Sequence, residues 1–73
     1  MTRMIEVKDR AHVEKINELA CQTPFEVWLS TDSLMLDAHS LLGLFDLIVK
    51  RVNVVVEDNV DAKQFENLVS KIA

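Results

Sequence analysis

Met35–Ile48 reads MLDAHSLLGLFDLI. Up to Asp37 the residues keep the apolar and polar alternation of a strand, and past Ser40 the apolar ones crowd at helical spacing: Leu41, Leu42, Leu44, Phe45, Ile48 and then Val49. A strand that runs straight into an apolar helix is the hinge of the reading, and the neighbouring elements follow from it. Upstream, Phe25–Ser30 (FEVWLS) is rich in strand formers and sets Phe25, Val27 and Leu29 on one face, with Glu26, Trp28 and Ser30 on the other. Thr31, Asp32 and Ser33 supply turn chemistry before a third strand over Leu34–Asp37, which predicts an antiparallel hairpin. Downstream, Asn53–Glu57 (NVVVE) is a continuous apolar run that predicts an interior strand.

The ends complete the pattern. Arg3–Lys8 alternates, with Ile5 and Val7 sharing a face, and reads as strand one. Asp9 is placed to cap a helix reaching about Cys21, whose inward positions are Val13, Ile16, Leu19 and Ala20. Pro24 ends that segment and holds Thr23 extended. After a turn at Asp58 and Asn59, a last helix capped by Asp61 or Asn59 buries Ala62, Phe65, Leu68, Val69 and Ile72. The order is βαββαβα. A chain this short cannot cover both faces of a sheet, so the expectation is α+β: a four-stranded antiparallel sheet with three helices on one face and the other face open.

Composition narrows the function. Seventy-three residues make a single domain, 1–73, which buries only about 60% of its unfolded surface and is modest in stability. Twelve acidic residues against eight basic ones leave a net charge of -4, which opposes the phosphate attraction behind nucleic-acid binding, so no nucleic acid is expected. Cys21 is the only cysteine, which excludes an intrachain disulfide and a thiolate metal cluster and favours a reducing compartment, the cytoplasm. The opening MTRMIEVKDR carries charges among its apolar residues, so neither a signal segment nor a membrane span is expected. His12, His39 and the scattered carboxylates lack the spacing of a metal motif, so no metal or cofactor is assigned from the sequence, and no catalytic constellation marks an enzyme.

The stretch Ala38, His39, Ser40, Leu41, Leu42, Gly43, Leu44 resembles the HPr family, the histidine-containing phosphocarriers of the bacterial sugar phosphotransferase system and their regulatory relatives. In that family an alanine and a lysine precede the serine, and the helix follows the cadence S-hydrophobic-x-G-hydrophobic; here only the lysine is replaced. The likeness continues through NVVVED and DAKQFENLVSKI, and it implies an open-faced sandwich of HPr type. It fails at the chemistry. The family carries its phosphorylatable histidine in a loop resembling G-hydrophobic-H-A/T-R-P, whereas Lys8–His12 reads KDRAH. Ungapped alignment puts Asp9 at the histidine, Ala11 at the guanidinium and His12 at the proline.

The resemblance therefore implies a regulatory or protein-binding domain without histidine phosphotransfer. Its docking surface would comprise Asp9, His12, Ser40, Leu41, Gly43 and Leu44, since HPr proteins meet their partners around the first two helices. Asp9 either caps the first helix or imitates a phosphorylated state through its charge. Ser40 matches the serine that a dedicated kinase phosphorylates in some relatives, and its ordinary work would be to cap the second helix. Two alternatives remain at this stage: a divergent carrier phosphorylated on His12 or Ser40, and a homo-oligomer formed through the sheet face bearing Trp28. Cys21 is expected to be a buried, inert thiol.

Overall fold

A computed structural model describes all 73 residues. The elements in chain order are β1 (Thr2–Glu6), α1 (Arg10–Gln22), β2 (Trp28–Ser30), β3 (Met35–Asp37), α2 (Leu41–Leu44, running on as a 3-10 turn over Phe45–Leu47), β4 (Arg51–Val55) and α3 (Ala62–Ile72). The sheet order is β1-β4-β2-β3, with every neighbouring pair antiparallel. The predicted βαββαβα order and the α+β class are both present.

Register explains which face is buried. Ile5 pairs with Val52 and Leu29 with Val54, and all four are buried beneath the helices. The opposite face carries Met4, Asn53, Ser30 and Met35 in one row and Thr2, Val55, Trp28 and Asp37 in the next. A slip of one residue would exchange these two sets, so burial on one side alone holds the register. All 17 buried residues are apolar and form one cluster, to which α1 contributes Val13, Ile16 and Ala20 and α3 contributes Phe65, Leu68, Val69 and Ile72.

Several boundaries move for identifiable reasons. β1 ends before Val7 because the Val7 amide donates to the Lys50 carbonyl at 2.9 Å and its carbonyl accepts from Val49, a closure outside the regular ladder. β2 begins later than Phe25, since the Thr23 hydroxyl reaches both the Ala20 and Phe25 carbonyls and holds a bend after the helix. β4 starts two residues early, with Val52, Val54 and Val56 inward and Val55 on the open face. Ala62 is exposed at the start of α3, outside the buried stripe. Cys21 is likewise exposed, contrary to expectation, because it follows Ala20 around the helix and leaves the inward stripe.

The largest departure is α2. The apolar residues predicted a helix through Val49, but one α-turn gives way to a 3-10 turn that ends at Ile48. Leu44 and Leu47 are both buried, and their spacing of three matches a 3-10 turn, which aligns every third side chain. The chain then reverses through Val49 at φ 63, a left-handed conformation that a β-branched residue adopts only under strain.

Val49 is 78% exposed, so replacing it sacrifices little packing. Val49→Asn should raise stability by up to about 1 kcal/mol, because asparagine enters the left-handed region more readily. Urea denaturation of both proteins checks this; an equal or lower midpoint for the variant would show that the turn is unstrained.

Candidate functional site

α2 lies along α1: Arg10 at the start of α1 sits over Phe45 just past α2, and Asn17, two turns further on, donates to the Ala38 carbonyl in the turn before α2. Asp9 stands just before α1 in extended backbone, and its carboxylate accepts the His12 amide at 2.8 Å. That bond satisfies one of the amides a helix start leaves free, and the negative charge faces the positive end of the helix dipole. Asp9 is therefore a helix cap.

His12 has both ring nitrogens engaged. Nδ1 accepts the Lys8 amide at 3.0 Å, so the proton resides on Nε2, which donates to the carbonyl of Ile72. Ile72 closes α3, where the last carbonyls have no partner within the helix, and His12 supplies one. The side chain thus stitches the beginning of the first helix to the end of the third. Neither nitrogen presents a free lone pair for attack on phosphorus. Arg10, the guanidinium of this region, lies over the Phe45 ring at 5.5 Å and pairs with Glu14 at 3.5 Å.

Ser40 precedes α2, but its hydroxyl makes no capping bond, contrary to expectation. The turn is organised by Asp37, which accepts the His39 amide at 2.9 Å and His39 Nδ1 at 2.8 Å on the same oxygen, while its carbonyl takes the Ser40 amide. The His39 amide, its ring hydrogen bond and its charge hold the Asp37 carboxyl below its ordinary value, against a small opposing effect of burial. Asn17 of α1 donates to the Ala38 carbonyl at 2.9 Å, fastening this turn to the first helix. Ser40 is left exposed with a free hydroxyl.

The apolar residues of α2 divide sharply. Leu44 is completely buried, so it belongs to the core and is no part of a docking surface. Leu41 and Gly43 are half-buried, whereas Leu42 is 84% exposed. Leu42 and Val49 are the large apolar groups that α2 and its exit turn present to solvent, and neither was among the residues first expected to meet a partner. The sequence signal was available in the excess of apolar residues for one stripe: with Leu44 buried, Leu42 two residues earlier falls on the opposite side of the helix.

A crystal structure of HPr-C-His from Thermoanaerobacter tengcongensis is similar to this chain with a TM-score of 0.75 and 19% identity, covering 99% of this chain and 90% of that one. The fold is that of HPr. No family model and no curated protein sequence matches the chain. Within this HPr fold, the two candidate residues at the start of the first helix, Asp9 and His12, are both occupied by backbone partners. No helix is long and apolar enough to cross a membrane.

The two turn residues should separate on mutation. Ser40→Ala should leave stability within about 0.5 kcal/mol, since no bond is lost. Asp37→Asn should be less stable than the parent at pH 7. Because the folded-state pKa of Asp37 is depressed, its contribution is complete above the unfolded value and disappears as pH falls through the lowered one, so the two proteins should converge below about pH 4. Denaturation midpoints measured from pH 7 to 3 test both; a gap that persists undiminished at pH 3 would rule out the carboxylate as its source.

Proposed function

We propose that this protein is a noncatalytic, HPr-like regulatory or protein-binding domain, one that has lost histidine phosphotransfer and acts through the surface around α1 and α2. The observation that carries the reading is His12: the histidine nearest the start of α1 uses both ring nitrogens as structural hydrogen-bonding groups. A phosphoryl acceptor needs an unshared nitrogen lone pair and a cation or amide cradle for the arriving charge. Here the Asp9 carboxylate takes the His12 amide and repels an anion, while the Arg10 guanidinium is engaged by Phe45 and Glu14.

The partner surface is centred on Leu42, with Leu41, Gly43 and Val49 beside it and Asp9, His12 and Ser40 toward the rim. An apolar centre with a polar edge is the anatomy of a small protein interface. Gly43 supports this reading in a separate way. A Cβ added there would meet Leu36 at 3.9 Å, an ordinary contact, so the fold has no steric need for glycine inside α2. A bare backbone at that point suits close approach by another chain. Ser40 is open to a kinase, although a single α-turn behind it offers a phosphate little help from a helix dipole.

A second reading draws on the open sheet face, where Met4 and Met35 are 61% and 60% exposed and Trp28 is half-buried in the neighbouring row. Self-association through that face would make the solution mass rise with concentration. The cytoplasm suits either role, given a lone exposed thiol.

Incubation with phosphoenolpyruvate and the general phosphotransferase enzyme should yield no acid-labile label on the protein. Stoichiometric phosphate on His12 would overturn the proposal. In a pull-down from the source cell, Leu42→Asp should lose the partners captured by the parent while its thermal midpoint stays nearly the same, because an exposed side chain contributes little to the core. Retention of every partner by the variant would move the docking surface elsewhere, with the open sheet face next to be tested.

A further inference from the structure

The hairpin register continues past the end of the sheet. Trp28 lies opposite Asp37, and the Ala38 amide bonds the Val27 carbonyl at 2.9 Å, so Glu26 falls across from His39. Asp37 holds the turn that carries His39, and Glu26 lies just before β2 across from that turn, so the three come together at the open end of the hairpin. One carboxylate oxygen from each acid and one ring nitrogen of His39 all lie within 4.8 Å of one another.

The surroundings suit a cation. Glu26 and His39 line a surface depression of about 340 Å³ that also contains Glu57 and Asn59. The ion pairs of the protein engage Asp58, Glu66, Glu14 and Asp37, which leaves Glu26 and Glu57 without a basic partner beside this depression. His39 Nδ1 and the Asp37 oxygen already stand 2.8 Å apart, a separation that two ligand atoms of one ion can keep once the cation displaces the proton between them.

We propose that Glu26, Asp37 and His39 bind a divalent first-row transition-metal cation of the Zn²⁺ type, with water completing its coordination. The imidazole disfavours Mg²⁺ and Ca²⁺, which take oxygen ligands, and the lack of a thiolate or thioether in the cluster disfavours Cu(I). Ligand atoms on one zinc ion are separated by about 3 to 3.5 Å, given bonds of about 2.0 to 2.2 Å. Rotation of the exposed Glu26 side chain covers the remaining distance. Linear spacing conceals the set, because Glu26 joins it only through the pairing of β2 with β3. Such an ion would clasp the open end of this hairpin to the turn before Ser40, independently of whether α1 and α2 dock a protein.

The test is titration of the native chain with Zn²⁺ alone, followed by calorimetry and by imidazole NMR signals. Saturable binding of one equivalent is expected, with the His39 ring resonances shifting and those of His12 unchanged. Glu26→Gln and His39→Gln should each weaken binding about tenfold or more, as loss of a ligand costs at least as much as loss of its supporting bond. Glu14→Gln, which removes the same charge on α1, should bind as the parent does. The site is refuted if the native chain takes up no zinc, if His12 shifts in place of His39, or if Glu14→Gln weakens binding as much as Glu26→Gln. Amide spectra of each variant establish that it remains folded.

Discussion

One apolar layer holds the molecule together. Ile5, Leu29, Val52 and Val54 supply the sheet side and Val13, Ile16, Phe65 and Ile72 the helical side, and the core has no buried polar group. With so little interior, apolar burial is non-directional and cannot choose where each helix begins and ends. That choice falls to a few polar bonds at the margins of the layer: Asp9 and Asp61 on the amides at the starts of α1 and α3, Asn17 on the Ala38 carbonyl, and His12 across to Ile72. Each satisfies a backbone group that a helix end or a turn leaves without a partner. The layer supplies the cohesion, and these bonds supply the geometry.

This division of labour explains why the fold was legible in the sequence and the site only in part. Alternation in RMIEVK and FEVWLS, the apolar spacing of α1 and α3 and the caps at Asp9 and Asp61 are local properties, and they survive in the structure with shifts of a few residues at strand ends. What the pattern could not express was competition between neighbouring segments. Leu44 and Leu47 are both buried across the change from α to 3-10 geometry, while Leu42, two residues before Leu44, faces outward and Val49 takes the left-handed region. The same limit hid the partners of His12, because the bond to Ile72 joins the two ends of the chain. Glu26 and His39 meet only through strand register. Ser40 shows the reverse error: serine before a helix is the usual cap, yet Asp37 had already organised that turn.

The same physical demands act at the start of α1. A helix start that binds an incoming phosphoryl group must leave amides unpaired and keep a nucleophile exposed beside them, both of which reduce stability. In this chain those amides and that neighbourhood have been closed: Asp9 takes up an α1 amide, His12 takes up the Lys8 amide, and Arg10 turns aside onto Phe45. Each of these groups is engaged in an internal contact. The surface features that such closure does not explain are the ones left without internal partners. Leu42 stands in solvent on a helix too short to need it, Gly43 occupies a position where alanine would fit, and the Ser40 hydroxyl is free. Internal packing gives no reason for any of the three, and their adjacency in the chain is what the proposed docking surface rests on.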